Sequence, residues 1–145
     1  MQKVLETDIN LHVVAVFAWI VKDDLYLLAQ RKMDDPQAGG QWALVGGKMD
    51  NEVGSGKVEE TLRREIREEV GIEIESSIEF LASQAFVRSS GHHVVSLIFK
   101  AFHKSGEAQP LDGQQQVKWF SKSEVQELLE ANPKLQYLQA SFAEL

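Results

Sequence analysis

The segment from residue 57 to residue 70 is the feature that most limits the folds open to this chain. Its apolar residues recur every four positions, at Val58, Leu62, Ile66 and Val70, and form one stripe along an amphipathic helix. Stretches rich in β-branched and aromatic residues precede and follow this segment, and such residues favour strands. The sequence therefore predicts one mixed α/β domain, with strands on both sides of a central helix.

The other predicted elements are mostly strands. They are expected over residues 12–20, 25–30, 42–45, 78–87, 93–102 and 116–120. Turn-forming residues at 22–24 join the first two strands as a hairpin. Near the end of the chain, helices are predicted over residues 124–131 and 134–143, because Pro133 interrupts the helical pattern between them.

Capping residues mark the predicted helix ends. Ser55 is available as the N-cap of the central helix, and Gly71 stands where a helix C-terminus takes a left-handed residue. Ser121 or Ser123 is available to cap the first of the late helices. These signals place the boundaries of the central helix close to residues 57 and 70.

Length and composition narrow the class of protein. The chain has 145 residues, enough to bury a core, and we expect residues 1–145 to form a single domain. The longest apolar run, Val13 to Val21, has nine residues, about half of a membrane-spanning helix. There is no export signal and no cysteine, so a cytoplasmic location is expected, while disulfides and thiolate metal sites are excluded.

The charge of the chain is negative and unevenly distributed. The net charge of -7 argues against general binding of nucleic acid, which needs an excess of basic residues. Residues 50–79 contain ten acidic and four basic residues, and so hold six of the seven excess negative charges. This segment is either a solvated helix face or a site that binds cations.

Three acidic residues of the central helix, Glu65, Glu68 and Glu69, are spaced so that their Cβ atoms lie about 5–6 Å apart. Under the first interpretation, basic residues of the same helix neutralise this acidic surface. The pairs at the required spacing are Glu59–Arg63, Glu60–Arg64 and Arg64–Glu68. Exposed pairs of this kind are common and stabilise a helix only weakly.

The second interpretation is a metal site. At about 100° per residue, Glu69 falls within the apolar stripe and Glu65 lies at its edge, so both carboxylates face the core. Like charges that are partly buried are costly unless a cation lies between them. Mg²⁺ and Mn²⁺ take oxygen ligands, and clustered carboxylates suit both ions.

Residues 64–72, Arg-Glu-Ile-Arg-Glu-Glu-Val-Gly-Ile, resemble a known signature. They match every fixed position in the second half of the signature of the Nudix hydrolase superfamily, the MutT-like hydrolases. Residues 42–48 are similar to the strand and loop that lead into this signature. The resemblance implies a Nudix-type α/β/α sandwich with a mixed sheet, in which the catalytic helix follows a Gly-Gly loop.

The first half of the signature does not match. The family has a Glu eight residues before the Arg and a Gly six residues before that Glu, but counting back from Arg64 leads to Gly56 and Asp50. Gly47 lies three residues further upstream, so the loop is three residues longer than in the family. Glu52 stands in this loop, and we hypothesise that it replaces the missing Glu as the partner of Arg64.

The resemblance implies an activity and a cofactor. Members of the family hydrolyse a pyrophosphate bond in a nucleoside diphosphate linked to another group, with Mg²⁺ or Mn²⁺. By resemblance, Glu65, Glu68 and Glu69 are catalytic residues that bind the metal, and the carbonyl of Gly47 is a further ligand. Arg64 then orients a carboxylate of the site. The implied partner is a small nucleotide substrate.

The predicted substrate-binding residues are Arg31, Trp42, Gly46 and Gly47. Arg31 ends the second strand where many relatives place an Arg that contacts phosphate, although a surface charge at a strand end explains it equally well. Trp42 is placed to stack on a base, or else belongs to the core. An auxiliary acidic residue of many relatives is replaced here by glutamines, so its role is absent or passes to Asp112.

Several functions remain open at this point. A nucleoside triphosphate is slightly favoured as substrate, because the chain lacks the long N-terminal extension of many ADP-ribose and nucleotide-sugar hydrolases. The alternatives are a substrate of that second type, a weakly catalytic module that binds nucleotides, and an α/β protein whose acidic helix is only solvated. Gly56 and the lengthened loop favour the binding module. No membrane partner is expected, and a homodimer is left open.

Overall fold

A computed structural model describes residues 10–145, which contain eight strands and three α-helices. The first part of the chain forms β1 (Val13–Lys22), β2 (Leu25–Arg31), β3 (Trp42–Ala43), β4 (Val45–Lys48) and α1 (Lys57–Val70). The second part forms β5 (Glu73–Ile74), β6 (Glu79–Val87), β7 (His93–Ser105), β8 (Gln114–Phe120), α2 (Lys122–Ala131), a 3₁₀ helix (Pro133–Leu138) and α3 (Gln139–Ala143).

The sheet is mixed, and β1 lies at its centre. β7 pairs with β1 in parallel over nine residues, while β2 and β4 pair with β1 in antiparallel fashion. β2 in turn pairs with β3 and β8, and β7 pairs with β5 and β6. Strands from both halves of the chain therefore meet at β1, in which five of the ten residues are buried.

Helices cover both faces of the sheet and complete an α/β/α sandwich, as predicted. On one face, Leu62, Ile66 and Val70 of α1 are fully buried against β1, β2 and β7. On the other face, α2, the 3₁₀ helix and α3 pack around Trp19, whose indole N–H donates to Ser141 Oγ at 2.9 Å. That hydrogen bond satisfies the polar atom of the largest fully buried side chain.

Most predicted elements are present, with ends shifted by one to three residues. The bounds of α1 are those predicted, and Gly71 caps it in the left-handed conformation at φ 71°. Asp23 and Asp24 both have positive φ, as a tight hairpin turn requires. Ser121 caps α2, accepting from the N–H of Glu124, whose carboxylate in turn accepts from the N–H of Ser121.

Three local predictions were wrong. Ser55 is not the N-cap of α1, because Gly56 takes that position in the left-handed conformation, with φ 70°. The strand predicted over residues 42–45 is divided at Leu44, because β3 pairs with β2 whereas β4 pairs with β1. The last predicted helix begins as a 3₁₀ helix and becomes α-helical only at Gln139.

Membrane insertion through a helix finds no support in this architecture. Among residues 10–145, no helix is both long enough and apolar enough to cross a bilayer.

Candidate active site

The carboxylates of Glu65 and Glu69 lie against the two glycines of β4. The N–H of Gly46 donates to Glu69 Oε2 at 3.3 Å. A Cβ atom added to Gly47 would lie only 2.6 Å from the carboxyl carbon of Glu65. The apolar stripe predicted that Glu65 and Glu69 lie on the side of α1 that faces the core. Their contacts with β4 confirm this prediction.

Glycine is required at both positions of β4 for steric reasons. A Cβ atom at Gly46 would lie 2.7 Å from the Cα atom of Phe17 in the neighbouring strand β1. A side chain at Gly47 would displace the carboxylate of Glu65. The Gly-Gly pair therefore allows the sheet backbone and the carboxylates of α1 to approach each other directly.

The two carboxylates are in an environment that penalises negative charge. Burial is the main cause that raises the pKa of Glu69 to about 8. The hydrogen bond from the N–H of Gly46 has the opposite effect and partly lowers this pKa. Burial and the charge of Glu68 raise the pKa of Glu65. The charge of Asp112 raises both pKa values further. A bound cation would relieve this penalty, because it favours the ionised form of each group.

Glu68 lies outside this pair. Its side chain is 50% exposed, whereas that of Glu65 is 19% exposed. Arg64 lies between the two, with Nη2 3.7 Å from Glu65 Oε1 and Nε 3.8 Å from Glu68 Oε1. Within residues 10–145, no three acidic or histidine side chains are close enough together to hold a metal ion. The structure thus brings together two of the three predicted carboxylates.

Arg64 contacts the long loop through Asp50. Its Nη1 atom lies 3.3 Å from Asp50 Oδ2, and the N–H of Glu52 donates to Asp50 Oδ1 at 2.8 Å. The side chain of Glu52 itself is exposed. The hypothesis that Glu52 is the loop partner of Arg64 was therefore wrong, because the turn that Asp50 organises directs Asp50 rather than Glu52 toward the helix.

Two of the three predicted ion pairs along α1 are replaced by other contacts. Glu60 pairs with Lys57 at 3.2 Å. The guanidinium of Arg63 donates to the carbonyls of residues 74, 75 and 76, at 2.8–3.3 Å. Only the pair between Arg64 and Glu68 is found. The basic residues of α1 therefore do not neutralise Glu69, which weakens the interpretation of a merely solvated helix.

Both carboxylates line a cleft of about 1180 Å³. All four predicted substrate-binding residues also line it, namely Arg31, Trp42, Gly46 and Gly47. β1 and β7 contribute apolar side chains to its lining. Gln84 and Phe86 of β6 also line the cleft, as does Arg88, which directly follows β6. Neither Arg64 nor Glu68 is among the lining residues.

Arg31 and Trp42 are each held by one neighbour within this cleft. Arg31 Nη1 lies 3.3 Å from Asp35 Oδ2. The N–H groups of Ala38 and Gln37 donate to Asp35 and, with Arg31, lower its pKa. The ring of Trp42 packs edge-on against Phe120, with centroids 5.1 Å apart. Trp42 therefore packs on the core and also lines the cleft, and its stacking on a base stays a prediction.

Sequence reasoning missed some residues of the site. Asp50 lies in an irregular loop, and nothing in its spacing from Arg64 indicates the contact. Phe86 lines the cleft because β6 pairs with β7, and Arg88 follows β6 directly. Within residues 10–145, Nε of Arg88 is enclosed and has no hydrogen-bond partner.

Comparison with known proteins agrees with this geometry. The family model of the NUDIX domain matches residues 11–141. A stretch of 52 residues is 46% identical to nucleoside triphosphatase NudI of Escherichia coli O139:H28 (strain E24377A). That match covers 36% of this chain and 35% of the relative, so only about a third of either protein is compared.

Solved structures extend the similarity to most of the fold. The crystal structure of a MutT NUDIX hydrolase from Burkholderia pseudomallei aligns with a TM-score of 0.67 at 30% identity, over 79% of this chain and 87% of that one. The solution structure of the E. coli ORF135 protein aligns with a TM-score of 0.68 at 30% identity, over 91% and 89%. Because the family model matches residues 11–141, which is almost the whole chain, the chain belongs to the Nudix hydrolase family.

Proposed function

We propose that this protein is a metal-dependent pyrophosphohydrolase whose substrate is a small nucleotide. The observation that carries the proposal is the meeting of Glu65 and Glu69 with Gly46 and Gly47 at the cleft. Nudix hydrolases generally need divalent metal ions, and the donors at this position are the hard oxygen atoms that such ions prefer. The apolar side chains of β1 and β7 that line the same cleft suit the nucleoside portion of a substrate.

The residues that would hold the ion are Glu65 and Glu69, with the carbonyl of Gly47 as a further ligand. Glu68, which is half-exposed and lies 3.8 Å from Nε of Arg64, would join them as a third carboxylate ligand. Mg²⁺ or Mn²⁺ would supply positive charge for the phosphate oxygens and would lower the pKa of the attacking water. The raised pKa values of Glu65 and Glu69 are the observation that supports this fit.

Other residues of the chain would orient the substrate. Arg31 lines the cleft and is held there by Asp35, so its guanidinium is positioned for a phosphate group. Trp42 and Phe86 line the same cleft and offer aromatic surface for the base. Asp112 is near enough for its charge to act on both buried carboxylates, and we assign it the auxiliary acidic role.

Arg64 would act as a positioning residue. It contacts Asp50 of the loop and two carboxylates of α1, so it fixes the rotamers of Glu65 and Glu68 relative to the loop. In the family this partner is a Glu, at the position that is Gly56 here. A Cβ atom added at Gly56 would have no neighbour within 4 Å, and the left-handed backbone of this residue would strain a side chain there. Asp50 has therefore taken over the role from a different place in the loop.

The reaction consumes one water molecule for each substrate molecule. The water oxygen forms a bond to one phosphorus atom, the bridging P–O bond breaks, and the oxygen of that bridge leaves with the other phosphate product. A carboxylate of the site accepts the proton of the attacking water. We favour nucleoside triphosphates as substrates, since the E. coli relative that is 46% identical over 52 residues is a nucleoside triphosphatase. ADP-ribose and nucleotide sugars are the second candidates.

A substrate panel tests the proposal. Nucleoside triphosphates, nucleoside diphosphates, ADP-ribose and nucleotide sugars are incubated with Mg²⁺ or Mn²⁺, and the products are separated by anion-exchange chromatography. We expect a nucleoside monophosphate and pyrophosphate from the best triphosphate, and ¹⁸O-labelled water identifies the phosphorus atom attacked. Binding without turnover on every compound would instead assign the chain to the weakly catalytic binding modules, for which the absent signature Glu is the supporting observation.

A further inference from the structure

Strand β6 forms an exposed edge of the sheet. Within residues 10–145, it pairs with β7 on one side and with no strand on the other. Three of its large apolar side chains are exposed, namely Phe80 at 58%, Phe86 at 45% and Val87 at 56%. A long edge strand with unpaired backbone groups and apolar side chains is a template for pairing with another strand.

A β-bulge in β6 determines which of its side chains share a face. Phe80 lies opposite Phe99 and Ala82 lies opposite Ile98, so Leu81 is the extra residue. From Ala82 onward the alternation is therefore shifted by one. As a result, Phe80 and Val87 point to the same face of the sheet, which they would not do in a regular strand.

This arrangement makes the edge complementary to a copy of itself. In an antiparallel pair, the residues directly opposite each other must lie on the same face. We place the two-fold axis at Gln84, so that Gln84 lies opposite Gln84 of the second copy. Counting outward from this pair, Ala82 lies opposite Phe86 of the second copy. When the bulge residue Leu81 is skipped, Phe80 lies opposite Val87. Each large exposed side chain then has an apolar neighbour, and the same contact is made twice.

The charges at the two ends of β6 fit the same alignment. Glu79 is one residue before Phe80, and Arg88 is one residue after Val87, so the same axis places Glu79 opposite Arg88 of the second copy. Within residues 10–145, neither Glu79 nor Arg88 forms an ion pair. A two-fold dimer would contain this pairing of opposite charges at both ends of the interface.

We infer that the occupant of this edge is a second copy of the same chain, bound through antiparallel pairing of two β6 strands. The inference rests on the apolar pattern, the bulge and the charge complementarity, and it does not depend on the proposed enzymatic function. It has one further consequence for the site. Phe86 and Arg88 line the cleft, so the second copy would sit beside the cleft entrance of the first.

Charge reversal tests the inference directly. The molar mass of the full chain is measured by sedimentation equilibrium from low micromolar to millimolar concentration, and circular dichroism verifies the fold of each variant. We expect the parent protein to dimerise. Glu79→Arg and Arg88→Glu should each raise the dimer dissociation constant at least about tenfold, because like charges then face each other at both ends. The double variant Glu79→Arg/Arg88→Glu should return to within about threefold of the parent, since opposite charges face each other again.

The control is Glu107→Arg, which makes the same charge change at an exposed loop position outside β6. It should leave the dissociation constant unchanged. A parent protein that is monomeric at every concentration would overturn the inference, as would a dimer that is insensitive to both single reversals. Failure of the double variant to recover would reject this register, and an equal effect of Glu107→Arg would attribute association to net charge alone.

Discussion

Glu69 is the residue in which burial and charge conflict most strongly. Its carboxylate accepts only one hydrogen bond from the described residues, the 3.3 Å contact with Gly46 N–H. Burial raises its pKa to about 8. A stable protein retains such a group at a cost, and the proposed role in holding a cation would account for the carboxylate at this position.

Replacing Glu69 by Gln should remove nearly all hydrolysis. The amide keeps the shape of the side chain but loses the charge that binds the ion, so we expect a loss of at least about a hundredfold in kcat/KM. Glu68→Gln should also reduce activity strongly, because Glu68 is the third carboxylate of the proposed ligand set. The control is Glu59→Gln, an exposed position on the same helix. Retention of more than about a tenth of the parent rate by Glu69→Gln would show that Glu69 does not bind the metal.

The same residue should make the stability of the metal-free protein depend on pH. The pKa of Glu69 is raised in the folded state from its ordinary value of 4.5 to about 8, so the folded state favours the protonated form. This contribution to stability is fully present below pH 4.5 and is lost as the pH rises toward 8. A pKa shift of this size corresponds to several kcal/mol, at about 1.4 kcal/mol per pKa unit, so we expect Tm in EDTA to fall by roughly 10 °C over this interval.

Calorimetry of Glu69→Gln provides the comparison, since the amide does not titrate. The difference in Tm between parent and variant should change with pH in the direction given, while effects of the histidines cancel. Parallel curves for the two proteins would show that Glu69 is ionised at no cost in the folded state.

At the level of elements, the connection between the long loop and α1 depends on Asp50. Asp50→Asn should lower kcat about tenfold, or about 1.4 kcal/mol in the barrier, because Arg64 loses the charge that holds it. KM should change little, since Asp50 does not line the cleft. Stability should fall by less than about 1 kcal/mol, because the pair is partly exposed.

Two variants make this prediction about the loop specific. Asp50→Glu should recover part of kcat, since a carboxylate is restored, whereas Glu52→Ala should match the parent. Adding the family's Glu as Asp50→Asn/Gly56→Glu should not recover activity, because the left-handed backbone of residue 56, with φ 70°, strains any side chain placed there. Full recovery in that double variant, or a large loss in Glu52→Ala, would contradict the assignment to Asp50.

Sequence patterns predicted the elements better than their connections. The four-residue period specified α1 to its bounds, and the azimuth of Glu65 and Glu69 indicated the buried pair, because both follow from local helical geometry. The left-handed N-cap at Gly56 and the division of the strand at Leu44 were missed. Both depend on tertiary contacts. The N-cap depends on the path of the loop before α1, and the division at Leu44 arises because β3 pairs with β2 whereas β4 pairs with β1.

The pairing of Arg64 with a loop residue was predicted, but its partner was not. A through-space contact across 14 residues depends on how an irregular loop turns, and no periodicity encodes it. Phe86 and Arg88 were not predicted as residues of the site for a similar reason. Their position at the cleft depends on how β6 pairs with β7, which sequence patterns do not specify. The carboxylates of a helix are thus easier to predict than the side chains that surround them.

On the scale of the whole molecule, the site joins the sheet to the helix. Gly46 and Gly47 belong to β4, which pairs with the central strand β1, while Glu65 and Glu69 belong to α1. An ion held between them would link both layers of the core that these elements form. Its binding energy should therefore appear in the global unfolding of the protein rather than in one segment.

Mn²⁺ or Mg²⁺ should accordingly raise the melting temperature. An ion that binds only the folded state stabilises it by about 2.7 kcal/mol at a hundred times its dissociation constant. NaCl at equal ionic strength should have a much smaller effect, since buried charges are weakly screened. The shift should disappear in Glu69→Gln and persist in Glu59→Gln, which lies on the exposed side of α1. Equal stabilisation by NaCl and by the divalent ions would mean that salt merely screens an acidic helix surface, and the metal site would then have to be abandoned.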